Sequence, residues 1–315
     1  MPSIAAITGG TGFLGQHLIK ALTREGWQLR LLVRRMPDLG TAVDPDMAPV
    51  QLVLGSLEDP AALRELVQGA DTIVHVAGAI KAKSRADFMA ANAEGTARVL
   101  QARADAAPDA SFVMMSSLAA REAEISHYAA SKAAGEAHVR AASGDWAILR
   151  PCAIYGPGDR ETLTVFKAAR LPVHPMLNGP DARVCLMNVS DVTSAVLAVL
   201  EGNTWGGTFE LSDARHDGYA WREIIATACA ATGTRPRPFR VPEAVVRTLG
   251  RAGDLATAVT GSAEMLTSQK VREILHPDWS SPATAQLDTG TWRPMVDLDQ
   301  GFADAVAWYR AAGWL

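Results

Sequence analysis

Ser116 and Ser117 stand together, Tyr128 follows eleven residues after Ser117, and Lys132 comes four residues later. On a helix, residues at i and i+4 share a face, so Tyr128 and Lys132 would project side by side. A neutral tyrosine, with an ordinary pKa of about 10, is a poor proton shuttle near neutral pH. A neighbouring ammonium favours the phenolate, and the phenol can then exchange a proton with a substrate oxygen. A serine hydroxyl can hold that same oxygen. On an arbitrary helix a Tyr-x-x-x-Lys pair is usually solvated, so its meaning depends on what surrounds it.

The second informative stretch is Gly9-Gly10-Thr11-Gly12-Phe13-Leu14-Gly15, which follows the apolar run Ile4-Ala5-Ala6-Ile7 and precedes an expected helix over 16–25. A strand running into a glycine-rich turn at a helix N-terminus is built for pyrophosphate. Glycines allow the tight turn and the close approach, and the helix's unpaired N–H groups favour negative charge. The next strand, expected over 28–33, ends at Arg34-Arg35. An NAD site would place Asp or Glu there for the ribose 2′-OH, whereas two arginines suit a 2′-phosphate. NADP(H) is therefore the expected cofactor. In the alternative, both arginines are solvated loop residues and set no preference.

These residues need a scaffold. Strand and helix patterns alternate through the first half, as in βαβ units on a parallel sheet. Strands are expected over 50–54, 72–76, 111–115 and 146–149, with helices over 60–67, 86–103 and 127–142. From Pro157 the rhythm changes, broken by Pro172, Pro175, Pro180, Pro236, Pro238, Pro242, Pro277 and Pro282. A helix over 192–200 and a strand over 208–211 return to the first pattern. The division expected is 1–157 plus 183–212 for dinucleotide binding, and 158–182 plus 213–315 for a smaller substrate-binding domain.

Composition narrows the class. At 315 residues and 48% hydrophobic, the chain can bury a sizeable core. A net charge of −4 argues against nucleic acid as the main partner. Cys152, Cys185 and Cys229 are odd in number and far apart, which reads as reduced thiols. The seven histidines show no metal-ligand spacing, so no metal is expected. His75 reads as structural. No leader and no spanning run are visible, and a cytoplasmic location is expected, with contact at the inner face of a membrane left open.

Taken together, the chain resembles an extended short-chain dehydrogenase/reductase along nearly its whole length. The matching segments are the Gly9–Gly15 turn, His75-Val76-Ala77-Gly78, Asn92 with Gly95-Thr96, Ser116-Ser117, and Tyr128 with Lys132. Arg150-Pro151-Cys152-Ala153-Ile154-Tyr155-Gly156-Pro157-Gly158-Asp159 and Asn188-Val189-Ser190-Asp191-Val192 match too. The resemblance implies a Rossmann fold, a doubly wound α/β parallel sheet, carrying the smaller C-terminal domain. It implies that Tyr128 is the acid–base residue, that Lys132 holds the nicotinamide ribose and tunes Tyr128, and that Ser117 orients the carbonyl. By the same resemblance the cofactor lies against Gly9, Thr11, Gly12, Phe13, Leu14, Gly15, Arg34, Arg35, Ser56, Leu57, Ala77, Gly78, Pro151 and Ile154. Asn92 supports the active-site helices, with a relay role left open. One departure is Ser56, where the family usually has Asp near the adenine amine.

The substrate is less legible. Leu118-Ala119 follows the serines where sugar-nucleotide dehydratases carry an acidic pair, so water elimination is not expected. The pattern is nearer to the 3β-hydroxysteroid dehydrogenase-like branch, which includes an accessory subunit of mitochondrial complex I and has bacterial ketoceramide reductases as relatives. The resulting expectation is an NADPH-dependent reductase of a lipid-like ketone, monomeric or homodimeric. The alternatives are a sugar-nucleotide epimerase with tightly bound NAD, or a non-catalytic NADPH-binding subunit. An apolar stretch over 242–259, with Met265, Leu266, Trp279 and Trp292 beyond, either lines a lipid site or simply packs on its domain. Lys81, Lys83 and Arg85 either meet an anionic head group or form a solvated loop. The C-terminal Phe302, Val306, Trp308, Tyr309, Trp314 and Leu315 are expected to dock on the core, with membrane anchoring as the alternative.

Overall fold

The computed structural model describes residues 3–36, 49–235, 237–260 and 266–315, so Pro236 and Met265 lie outside the described residues. Two compact units are present, Met1–Arg150 with Thr193–Phe209, and Pro151–Val192 with Glu210–Leu315.

The first unit is built on β1 (Ile4–Thr8), α1 (Phe13–Arg24), β2 (Gln28–Val33), β3 (Val50–Leu54), α2 (Pro60–Val67) and β4 (Thr72–His75). It continues through α3 (Arg85–Met89), a π turn (Ala90–Glu94), α4 (Gly95–Ala106), β5 (Ser111–Met115), a 3-10 turn (Leu118–Glu122), α5 (His127–Ala141) and β6 (Trp146–Pro151). Ala5, Ala6 and Ile7 are fully buried, as are Ile73 and Val74. Such unbroken apolar runs fit strands covered on both faces. Capping residues set the helix starts. Asp59 accepts from the N–H groups of Ala61 and Ala62 ahead of α2, and Ser126 accepts from Ala129 ahead of α5.

With β11 (Gly207–Leu211), the seven-stranded sheet has the order β11-β6-β5-β4-β1-β2-β3. The pairings from β6 through β3 are all parallel, giving the doubly wound Rossmann arrangement. The strand order reverses at β1 and β4, and ligands of open α/β sheets bind outside the strand ends at such a reversal. Register aligns those ends. Thr8 pairs with His75, and His75 with Met114. Gly9, Val76 to Gly78 and Ser116-Ser117 therefore emerge along the same sheet edge.

One expectation is refined here. The long helix expected over 86–103 is interrupted by the π turn at Ala90–Glu94. The extra residue in that turn accompanies Asn92, whose side chain is bonded to backbone and hydroxyl partners outside its own helix.

The second unit holds β7 (Ala153–Tyr155), α6 (Leu163–Ala169), β8 (Val173–Met176), β9 (Arg183–Val184) and β10 (Leu186–Asn188). It also holds β12 (Tyr219–Ala220), α8 (Trp221–Thr232), β13 (Arg237–Arg240), α9 (Glu243–Thr260), α10 (Ser268–Ile274), β14 (Asp278–Trp279) and α11 (Leu298–Ala311), while α7 (Val189–Gly202) and β11 carry the chain across the division. Its strands form small sheets, β10 with β7, β9 between β12 and β14, and β13 with β8. The core gathers Tyr155, Phe166, Phe302 and Tyr309, with Phe302 edge-on to Tyr155 at 5.1 Å and to Phe166 at 4.8 Å between ring centroids. Gly301 is required there, because a Cβ would meet the Tyr155 ring. The C-terminal helix thus docks into this core. Among the described residues no helix is long and apolar enough to cross a membrane.

Candidate active site

The glycine turn comes first. Gly9 has φ of +78°, and a Cβ on it would sit 2.6 Å from the Ala77 nitrogen, so only glycine lets the ends of β1 and β4 close on each other. Gly15 is pressed against the backbone of Gly9 and Gly10. The Gly12 N–H donates to the Gly9 carbonyl at 3.0 Å. Gly12 is also the N-cap of α1 and brings no capping side chain. The first-turn N–H groups, at Phe13, Leu14 and Gly15, are left for an external acceptor. The cradle fits a pyrophosphate, and a dinucleotide is the group that the whole edge suits.

The second cluster lies beside it in the same unit. Lys132, on α5, is buried, and its Nζ donates to the Met115 carbonyl at 3.0 Å, at the end of β5. A Cβ on Gly78 would come within 3.1 Å of that Nζ and 2.7 Å of Asn92 Oδ1. Gly78, Asn92, Lys132 and Met115 thus converge. Asn92 accepts from the Ala79 N–H at 2.7 Å and donates to the Ala79 carbonyl at 3.0 Å and to Ser131 Oγ at 2.9 Å. Ser131 in turn donates to the Tyr128 carbonyl at 2.7 Å. Asn92 therefore ties the segment after β4 to the first turns of α5. Tyr128 is half-buried, with the Phe88 ring edge-on at 6.1 Å. Ser117 is half-buried and accepts from the Ala119 N–H at 3.2 Å, opening the 3-10 turn.

Burial pushes the Lys132 ammonium down to about 8, while the Glu136 carboxylate pulls the other way. Glu136 was not anticipated. It is fully buried one turn after Lys132 and accepts from Ser116 Oγ at 2.6 Å. It takes a two-pronged contact from Arg150 at 2.8 and 2.6 Å, and a further one from Arg140 at 2.5 Å. The signal available was a carboxylate at i+4 from Lys132, on a helix otherwise rich in alanine. His75 is structural, as expected: its Nδ1 contacts Thr8 Oγ1 at 2.7 Å and its Nε2 contacts Thr96 Oγ1 at 3.0 Å. Burial first, and Lys132 second, push its pKa down to about 3.

The other expected cofactor residues are spread along the chain. Thr11 is exposed, and Leu14 and Gly15 are buried under the turn. Ala77 is half-buried beside Gly9, and Ser56 Oγ accepts from the Glu58 N–H at 3.1 Å. Leu57 lies over Gly95, where a Cβ would come within 2.8 Å of its Cδ1. Pro151 ends β6 and is buried, and Ile154, half-buried, lies on β7 of the second unit. Of the apolar stretch over 242–259, Val246 is buried, whereas Val245, Leu249, Leu255 and Val259 are exposed.

A family model described as the NAD dependent epimerase/dehydratase family matches residues 5–211. A ceramide reductase of Caulobacter vibrioides is 44% identical over 99% of this chain and 96% of its own. Among solved structures, WbmG of Bordetella bronchiseptica in complex with NAD aligns with a TM-score of 0.76 at 19% identity, covering 100% of this chain and 96% of the other. MoeE5 in complex with UDP-glucuronic acid and NAD aligns at 0.73 and 18%, covering 98% and 99%.

The comparisons correct the expected NADP(H) preference. The matching family is described by NAD, and both of these structures hold NAD. The physical reason lies at the end of β2. Arg34 and Arg35 are both exposed at a surface bend, and charge there is not a phosphate site unless the fork donors are held in place. The chain belongs to the NAD dependent epimerase/dehydratase family and is an enzyme of the NAD(P)-dependent oxidoreductase and epimerase class.

Proposed function

We propose that this enzyme reduces the ketone of a long-chain keto-lipid of the oxidised-ceramide class, or oxidises the matching alcohol in reverse. The observation that carries the reading is the 44% identity to a ceramide reductase over 99% of the chain. It joins a sequence in which Ser117, Tyr128 and Lys132 are all present, with Ser117 just past the end of β5 and Lys132 bonded to Met115 at that same strand end. In this reading the first unit binds the dinucleotide and the second takes the substrate. The second unit contains a groove of about 710 Å³ lined by Met176, Ile225, Ala226, Cys229 and Pro238 among others, an apolar surface suited to an acyl chain.

When bound, the dinucleotide supplies the hydride from its nicotinamide C4. The chain's own residues do the rest. Ser117 and Tyr128 hold the carbonyl oxygen, and Tyr128 hands it the phenolic proton as the carbon takes the hydride. Lys132 keeps a positive charge near Tyr128 and is the candidate to hold the nicotinamide ribose. The glycine turn and the open start of α1 take the pyrophosphate. Gly78 leaves room above Lys132, and Asn92 keeps that wall in register with α5.

A second reading has its own support. The WbmG and MoeE5 structures hold NAD, one with a UDP-sugar, and they favour the sugar-nucleotide epimerase with tightly bound NAD. The test sets the two side by side: NADH oxidation with a long-chain ketoceramide, and epimerisation of UDP-glucose without added cofactor. Turnover of the lipid ketone alone supports the reductase. Epimerisation of the UDP-sugar by enzyme that carries NAD through purification overturns it.

A further inference from the structure

The second unit ends its basic segment in a helix whose apolar surface is used only in part. At about 100° per residue, Val246, Gly250, Gly253 and Thr257 of α9 share one side. That side packs on Leu266 and the start of α10. A Cβ on Gly250 would come within 2.8 Å of Val271 on α10, and Gly253 is pressed against the backbone of Leu266. Asp254 turns the same way and accepts from the Ser268 N–H at 3.0 Å. A different stripe, roughly 120° wide, gathers Val245, Leu249, Ala252, Leu255, Ala256 and Val259. Leu255 is 66% exposed and Val259 is 77% exposed.

Charge surrounds the start of this stripe. Residues 235–251 contain five arginines, Arg235, Arg237, Arg240, Arg247 and Arg251, against one acid, Glu243. The segment is thus net +4 within a chain that is net −4. All four side chains of β13, Arg237-Pro238-Phe239-Arg240, are exposed, Phe239 at 55%. The strand passes into α9 through Val241 and Pro242 only. Arg235 and Pro238 also line the groove of about 710 Å³.

We propose that the exposed stripe of α9, with the arginine-rich segment leading into it, docks on an anionic phospholipid surface. A helix lying in an interface buries an apolar stripe among the acyl chains and keeps basic residues at the head groups. Arginines and an exposed aromatic at the stripe's entry are what such a surface attracts. A second copy of this chain fits less well. A two-fold contact brings a patch against itself, so the +4 segments would face each other. The proposal is independent of the assigned substrate: it concerns where the enzyme sits, and it holds for either reaction.

The test is co-sedimentation of the full chain with vesicles of phosphatidylcholine, with and without about 30 mol% phosphatidylglycerol. At least tenfold more protein is expected on the anionic vesicles at about 0.1 M salt, falling several-fold at about 0.5 M. The double variant Leu255→Glu/Val259→Glu and, separately, Arg237→Glu/Arg240→Glu should each lose at least tenfold of that binding. Both should keep the wild-type melting temperature and NADH binding, since all four positions are exposed. Equal binding to both vesicles, or unchanged binding by both variants, overturns the proposal. So does a wild-type dimer that ignores vesicles and becomes a monomer, by light scattering, in Leu255→Glu/Val259→Glu.

Discussion

At the scale of single residues, Lys132 is the group whose state should be felt most. Its ammonium titrates near 8 because burial disfavours the charge, and Glu136 is the anion that restrains the fall. As pH rises through 8 the positive charge beside Tyr128 is lost, so kcat/KM should decline on a basic limb near that value. Glu136→Gln removes the restraining charge and should move the limb to lower pH. A merely structural Glu136 would lower kcat/KM at every pH and leave the limb in place. That Lys132 and Tyr128 share a helix face was legible from their spacing, whereas the roles expected of them came from the family resemblance. Glu136 obeys the same spacing from Lys132, yet its role was hidden, since its partners Ser116, just past the end of β5, and Arg150, on β6, lie far from it in the chain. Spacing along a chain reports local neighbours and says nothing of what a sheet brings across. Arg34 and Arg35 teach the converse: residue type suggested a phosphate, but only a built site gives type its meaning.

At the scale of elements, the strand ends carry the argument. Gly9→Ala places a Cβ 2.6 Å from the Ala77 nitrogen at a φ of +78°, and backbone cannot yield there as a flexible side chain could. The expected result is a Kd for NADH at least tenfold higher, read by fluorescence quenching, with a lower melting temperature. His75 links β4 to β1 and α4 through Thr8 and Thr96. Folded His75 takes up a proton only near pH 3, whereas the unfolded chain takes it up below about 6.5. Unfolding therefore binds a proton across that window, and stability falls as pH drops from 6.5 toward 3. Urea midpoints measured at about pH 7 and about pH 4 should separate widely in the wild type and less in His75→Gln. Among the helices of the first unit, α2 and α5 have starts marked by a capping side chain, Asp59 and Ser126. The π turn was not, because Asn92 makes it through contacts with Ala79 and Ser131 that no periodicity encodes.

At the scale of the whole molecule, the alternation of strands and helices was enough to predict a parallel sheet, and its doubly wound order came from the family resemblance. The second unit resisted reading because β9, β12 and β14 are two residues long, too short for a period of two to show. Its core is set instead by aromatic packing between β7, α6 and α11, and those segments lie far apart in the chain. On the proposed reading of the whole enzyme, a hydride reaches a ketone carbon while Tyr128 protonates the oxygen. The most direct measurement uses NADH deuterated at the transferring C4 position with a long-chain ketoceramide, in wild type and Tyr128→Phe, with the lipid product read by mass spectrometry. The account predicts one deuterium on the new carbinol carbon. It also predicts that Tyr128→Phe turns over about 10²–10⁴-fold more slowly, with NADH affinity little changed. Full turnover by Tyr128→Phe, or an unlabelled product, would contradict it.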